Sequence, residues 1–341
     1  MCKIITPSVT IFDENGHIDI DGNQKVIDFL IAGGVDGILA LGSTGEFTNM
    51  SLAERKALLS MYVKHTNGRV ELYAGTGCLD VAETIELTNY ASEIGYQGVF
   101  IIGPYYYGLN PDRLFEYYDE VAKSVKCNIH LYNYPERSGH SLDAETVKRI
   151  VTANINVIGM KDSVSIPAHS NEIILAINKK DFQMYSGFDD QFLYNIAAGG
   201  CGGICGLSNI VPEIFNSLVD ACRKKDFDKT FQLSNLIHGL MPIYSLDSNP
   251  SLIIKTLMNY RGVNVNKKST FPFTDISDEK LTYAKKLIDQ VLARYNRICQ
   301  EWFNKLFFYM ASHKLLRQCC ACFPVMCFWS MTGRLAFFIV A

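Results

Sequence analysis

Val157-Ile158-Gly159-Met160-Lys161-Asp162 is a short apolar run that stops at a lysine and is flanked by polar residues. A run of this length and composition, bounded by turn residues, reads as a fully buried strand. Lys161 then stands where that strand leaves the core. Partial burial disfavours the charged form of an amine, and a neutral amine is the nucleophile that forms an imine with a carbonyl substrate. Taken alone, a lysine at a strand end is an ordinary solvated terminus, so the rest of the chain has to converge on it.

The same pattern recurs along the chain. Strands are expected at Lys3 to Val9, Gly37 to Leu41, Val70 to Gly75, Gly98 to Ile102, Asn128 to Tyr132, Val157 to Lys161, Gln183 to Ser186 and Gly203 to Cys205. Between them lie amphipathic helical patterns, among them Asp21 to Ala32, Leu52 to Lys64, Val81 to Ile94, Pro111 to Ser124, Ala144 to Ala153 and Asp189 to Ala198, mostly bounded by Gly, Asn or Asp. The second carries a capping box, Ser51 with Glu54. Eight strand-helix units without a Gly-rich dinucleotide turn or a P-loop fit a (β/α)8 TIM barrel better than an open parallel sheet. The barrel is expected over residues 1–210. A C-terminal helical extension of the same domain follows over 211–296.

The 341 residues carry 32 basic and 35 acidic side chains, a net charge of -3. No basic stripe with interleaved aromatics marks a nucleic-acid partner. Met1 to Pro7 runs straight into a strand-like segment without the regions of a signal peptide, which gives a cytoplasmic expectation. Cys2, Cys78, Cys127, Cys201, Cys205 and Cys222 are dispersed without paired spacing and read as reduced, buried thiols. From Arg297 the composition changes. Trp302, Phe307 and Phe308 precede a run, Cys319 to Trp329, that has no surface-helix period. Pro324 and Arg334 interrupt the largely apolar last 23 residues as a membrane span, so no membrane association is expected. Its cysteines lack zinc spacing and have no histidine among them. Residues 297–341 read as a non-native or read-through appendage outside the fold.

In such a barrel the chemistry sits at the carboxyl ends of the strands. Gly42-Ser43-Thr44-Gly45-Glu46 frames two hydroxyls between two glycines, either a tight turn or a loop whose N–H groups hold an anion such as a carboxylate. Tyr132, ahead of Asn133-Tyr134-Pro135-Glu136-Arg137, places a phenol where it could relay protons or reach Lys161 if the two strands are neighbours. Arg137 offers a fork for a substrate carboxylate or is a surface charge. Tyr105, Tyr106 and Tyr107 read first as interface packing.

Taken together, Gly42 to Glu46, Pro104-Tyr105-Tyr106, Tyr132 to Pro135 and Gly159 to Asp162 resemble, in order and spacing, the dihydrodipicolinate synthase and N-acetylneuraminate lyase family over roughly residues 1 to 296. The resemblance implies a class I, pyruvate-handling lyase or synthase without metal or organic cofactor, assembled as a homotetramer or homodimer. Lys161 matches the Schiff-base lysine and Tyr132 the proton-shuttling tyrosine. Ser43 and Thr44, between Gly42 and Gly45, match the pair that binds the pyruvate carboxylate and supports the relay. Tyr106 matches a tyrosine lent to the neighbouring subunit. The branch is contested. Arg137 resembles the arginine that synthases use for the carboxylate of aspartate semialdehyde. Gly187-Phe188-Asp189-Asp190, the Gly-rich stretch Gly199 to Asn209 with Ile204, Lys161-Asp162-Ser163 and Tyr244 to Asp247 look more like the 2-keto-3-deoxy sugar acid aldolases. Asp189 and Asp190 could instead cap the helix that follows. The expected activity is cleavage of such an acid to pyruvate and an aldehyde. The synthase reaction is the alternative. An N-acetylneuraminate lyase, a non-catalytic pyruvate-binding barrel and a glycoside hydrolase rank lower, the last because no carboxylate pair is as well placed as Lys161 with Tyr132.

Overall fold

Eight short parallel strands close on themselves in chain order: Lys3–Pro7 (β1), Gly37–Ala40 (β2), Glu71–Gly75 (β3), Gly98–Ile102 (β4), Ile129–Asn133 (β5), Val157–Asp162 (β6), Gln183–Ser186 (β7) and Gly202–Ile204 (β8), with β8 pairing β1. The computed structural model describes residues 2–273, 275–312, 325–329 and 335–339. The runs that read as buried strands are buried on both faces because side chains fill the barrel on one side and helices cover it on the other. Ile5, Leu39, Tyr73, Phe100, Tyr185 and Ile204 form the inner core.

Around the barrel run α1 (Ile20–Ala32), α2 (Leu52–Thr66), α3 (Val81–Glu93), α4 (Pro111–Ser124), the single turn α5 (Pro135–Ser138), α6 (Ala144–Ala153), α7 (Ala168–Ile177) and α8 (Phe192–Ala197). Asp19, Ser51, Asp80, Asn110 and Asp143 accept hydrogen bonds from the first-turn N–H groups of their helices, and the Ser51–Glu54 capping box is complete. The loop-to-helix transitions are therefore fixed locally. Where one helix is expected over Asp189 to Ala198, a 3-10 turn, Asp189–Gln191, precedes α8.

The barrel interior near its amino-terminal end is polar. Lys3 Nζ donates to both oxygens of Glu71 at 2.7 Å, and Tyr73 donates to Glu71 at 2.9 Å. His130 stacks on Phe100 with centroids 4.4 Å apart, and burial pushes its imidazole down to about 4. The helical extension comprises α9 (Pro212–Lys224), α10 (Phe227–His238), α11 (Pro250–Tyr260) and α12 (Asp278–Ser312). Two compact units divide the chain, Met1–Val291 and Leu292–Ala341. The second holds a two-stranded antiparallel sheet, Val325–Trp329 (β9) with Leu335–Ile339 (β10). Cys319, Cys320, Cys322, Pro324 and Arg334 lie outside the described residues. Cys2, Cys78 and Cys205 are buried free thiols, whereas Cys127, Cys201 and Cys222 are only half-buried, short of the expectation. Among the described residues no helix is long and apolar enough to cross a membrane.

Candidate active site

Side chains alternate along a strand, so the paired positions Tyr132 and Lys161 on β5 and β6 both face the barrel interior, while Asn133 and Asp162, one residue on, both face outward. Lys161 is buried and its Nζ lies 4.2 Å from the centre of the Tyr132 ring. The Tyr132 hydroxyl shares a hydrogen bond with Ser43 Oγ at 3.3 Å. Amine, phenol and hydroxyl thus form one line at the carboxyl ends of β6, β5 and β2.

Outward, the Asp162 carboxylate is enclosed. One oxygen accepts from Asn133 Nδ2 at 2.9 Å; the other meets Ser170 Oγ at 2.7 Å and His169 Nδ1 at 2.8 Å. The carboxylate holds the His169 imidazole above the ordinary histidine range. The outward pair ties together the strand ends that carry the inward pair.

Between β2 and α2 the chain makes a 3-10 turn, Ser43–Gly45. Its N–H groups are partly spent internally, Gly45 on Gly42 and Glu46 on Ser43. The remaining carbonyls are also held, Thr44 by the Ser251 hydroxyl at 2.8 Å and Gly45 by Thr10 at 2.7 Å. Ser43 and Thr44 line the cavity, but Gly42 and Gly45 do not. The two glycines bound the turn, Gly42 as its N-cap and Gly45 as its last residue. Leu41 and Glu46 adopt left-handed backbone angles, an unfavourable choice for side-chain-bearing residues. Glu46 is held there by its buried carboxylate, which pairs with the fully buried Lys255 of α11 and accepts from Asn249 at 3.0 Å and Ser269 at 3.2 Å. Burial lowers the Lys255 amine below its usual value, against the opposing pull of Glu46.

These groups open onto a cavity of about 1010 Å³ at the strand carboxyl ends. Its far wall includes Gly187, Asp189 and Ile204 after β7 and in β8, with Arg137 at the rim. Gly187 has a steric reason to be glycine, since a Cβ there would overlap Ser163 Oγ. Asp189 is 3% exposed; it accepts from the Leu207 N–H at 2.9 Å and the Tyr244 hydroxyl at 2.8 Å, and burial pushes its carboxyl up to about 6. The N-cap position of the turn is held by Phe188, not by Asp189. Asp190 is exposed and outside the cavity; its carbonyl meets His238 Nε2 at 3.2 Å. Its carboxylate therefore does not join the far wall with that of Asp189. Arg137 is exposed, with its guanidinium over the Tyr134 ring at 5.9 Å. Tyr105 lines the cavity, whereas Tyr106 has a left-handed φ, is 82% exposed and stays outside.

Residues 1–291 match the Dihydrodipicolinate synthetase family. The chain belongs to that family. Its members are class I carbon-carbon lyases and synthases, and this protein is an enzyme of that class. It is 32% identical over 290 residues to the putative 2-dehydro-3-deoxy-D-gluconate aldolase YagE of Escherichia coli K12, covering 84% of this chain and 96% of the relative. The crystal structure of YagE in complex with pyruvate superimposes with a TM-score of 0.83, covering 85% of this chain and 98% of that one. The probable 2-dehydro-3-deoxy-D-pentonate aldolase YjhH of the same organism is 33% identical, covering 81% and 92%. A 4-hydroxy-tetrahydrodipicolinate synthase of Methanococcus maripaludis strain C5 is 31% identical, covering 76% and 88%.

Within this family member, sequence reasoning overlooked the brace from α11. One signal was present. Lys255 is a lone charge in Leu252-Ile253-Ile254-Lys255-Thr256-Leu257-Met258, and a buried helix tolerates a lysine there only with a counter-charge. The Asn133–Asp162–His169 cluster left no comparable trace, because three common polar residues meet only when β5, β6 and α7 are packed.

Proposed function

We propose that the enzyme cleaves a 2-keto-3-deoxy sugar acid to pyruvate and an aldehyde through an imine on Lys161. The single observation that carries this reading is the buried Lys161 amine 4.2 Å from the Tyr132 ring, with the Tyr132 hydroxyl on Ser43. Attack of the amine on the C2 carbonyl, with loss of water, gives an imine that serves as electron sink. Tyr132 gives its phenolic proton to the departing water, so the imine stands protonated beside the phenolate. The phenolate then takes the proton of the C4 hydroxyl, the C3–C4 bond breaks, and its electron pair forms an enamine while the aldehyde leaves. Reprotonation at C3 and hydrolysis release pyruvate and restore the lysine. Ser43 and Thr44 hold the pyruvate carboxylate and return protons to Tyr132. Neither metal nor organic cofactor has a step in this scheme.

Two considerations favour the sugar acid over aspartate semialdehyde. YagE and YjhH carry names of sugar-acid aldolases, and Asp189 and Gly187 line the wall that a polyol chain would meet. Arg137 at the rim is the observation that favours the synthase reaction. The exposed Tyr106 is proposed to complete a neighbouring subunit's site in a homotetramer or homodimer. The enzyme is proposed to work in the cytoplasm, with residues 297–341 dispensable. Borohydride reduction with pyruvate should add one stable mass to the peptide containing Lys161, and pyruvate release from a panel of 2-keto-3-deoxy acids should outpace condensation with aspartate semialdehyde. Labelling that persists in Lys161→Ala, or faster condensation, overturns the respective half.

A further inference from the structure

The C-terminal extension lines the cavity with several side chains that the scheme above does not use, Tyr244 among them. Tyr244 lies in a 3-10 turn, Met241–Ser245, and its hydroxyl donates to one oxygen of Asp189 at 2.8 Å while the Leu207 N–H holds the other oxygen at 2.9 Å. Both side chains line the cavity. The Gly206 backbone also approaches closely, for a Cβ added there would overlap the Tyr244 hydroxyl. The Asp189 carboxylate is thereby fixed between two donors from two different loops.

We propose that Tyr244 is a specificity-determining positioning residue, whose hydroxyl holds Asp189 as an acceptor for substrate hydroxyls beyond the bond that breaks. This rests on the sugar-acid reading and deepens it. A buried carboxylate with one donor removed has less to keep it ionised and less to keep it oriented. The burial that already pushes Asp189 up to about 6 would then act with less opposition from hydrogen bonding. Protonated or rotated, Asp189 no longer offers the same acceptor. The hydrogen bonds of Asp189 and Tyr244 involve neither Lys161 nor Tyr132, where the reacting end of the substrate sits. The wall should therefore sense only the length and hydroxylation of the departing aldehyde.

Two substrates separate these effects. A 2-keto-3-deoxy sugar acid carries hydroxyls beyond C4, whereas 4-hydroxy-2-oxobutanoate breaks the same C3–C4 bond and has none. Tyr244→Phe keeps the ring and removes only the hydroxyl. We expect kcat/KM for the sugar acid to fall about tenfold, as when a buried polar group loses its partner, with less than about twofold change for 4-hydroxy-2-oxobutanoate and for the rate of pyruvate trapping by borohydride. Asp189→Asn should cause a similar selective loss, and the double variant should lose little more than either single one. Equal losses on both substrates, or additive losses in the double variant, overturn the proposal while leaving the lyase reading intact. A wild-type enzyme that traps pyruvate but cleaves only the short acid sinks the sugar-acid reading and this proposal with it. One that does not trap pyruvate sinks the imine scheme first. Should Tyr244→Phe fail to fold, the Asp189→Asn selectivity alone decides the matter, since an unselective Asp189→Asn variant removes the role assigned to Tyr244.

Discussion

Lys161 and Tyr132 are partners in register across β5 and β6, and the amine of one lies over the ring of the other at 4.2 Å. The ring face gives a cationic nitrogen a weak electrostatic partner without neutralising it by a carboxylate.

Removing only the phenol should separate the two roles of Tyr132. In Tyr132→Phe the ring still covers Lys161, but the bond to Ser43 is gone. Turnover should fall about 100-fold to 10,000-fold, the range for a positioned proton-transfer group. Borohydride trapping on Lys161 should be slowed yet still complete. Stopped-flow pyruvate release beside intact-mass spectrometry checks both, and unchanged turnover would remove Tyr132 from the relay.

Breaking the Glu46–Lys255 pair should be costly in one direction. Lys255→Met leaves a buried carboxylate without its charge partner, a loss of about 3 to 5 kcal/mol, whereas Glu46→Gln with Lys255→Met together should cost less than either single change. Urea denaturation of the three variants measures this. Additive costs would show that the two charges do not interact.

The His169–Asp162 contact should leave a pH signature. His169 is held above the ordinary range in the folded chain, so the stability it contributes is complete below the unfolded value of about 6.5 and is lost as pH rises through the raised folded value. His169→Ala should therefore destabilise more at pH 6 than at pH 9, by about 1 kcal/mol after allowance for partial exposure. Chemical denaturation at the two pH values gives the comparison; an equal cost at both refutes it.

Asp189 should show the opposite economy of function and stability. Its folded value of about 6 exceeds the ordinary 3.8, so the folded chain binds the extra proton between these values and loses stability as pH rises across that window. Asp189→Asn does not titrate. Relative to wild type it should gain up to about 3 kcal/mol between pH 4 and pH 7 while losing cleavage of hydroxylated acids. Thermal unfolding at both pH values is the measurement, and a constant difference would place the burial cost elsewhere.

Ending the chain after Asn296 should leave the enzyme folded and active and make it more soluble. Ala284, Ile288 and Val291 of α12 are buried, whereas none of the described side chains from Leu292 to Phe303 is. Circular dichroism and turnover of the shortened chain test this, and loss of folding would return the tail to the domain.

The barrel was legible because its strands are short apolar runs separated by capped helices, and both signals are local. Lys161, Tyr132 and Ser43 were legible for a related reason, since each ends or follows such a run. Tyr105 and Tyr106 illustrate the limit. They are adjacent and identical in chemistry, yet one lines the cavity and the other is turned out by a left-handed backbone angle. Gly42 and Gly45 bound a 3-10 turn, and their spacing does not tell which of the turn's residues line the cavity. Asp189 and Asp190 divide in the same way, because only packing against Leu207 and Tyr244 distinguishes one carboxylate from its neighbour.

The brace on Glu46 sets an order for making the enzyme. Lys255 lies 209 residues downstream of the glutamate it neutralises, and Ser251 lies 207 downstream of the Thr44 carbonyl it holds. A ribosome that has released all eight strands has not yet delivered either residue. The half-made barrel carries Lys161 and Tyr132 beside a hydroxyl turn whose buried glutamate has no counter-charge. Competence to form the imine in its finished geometry should therefore arrive late in synthesis, when α11 swings in and locks the turn.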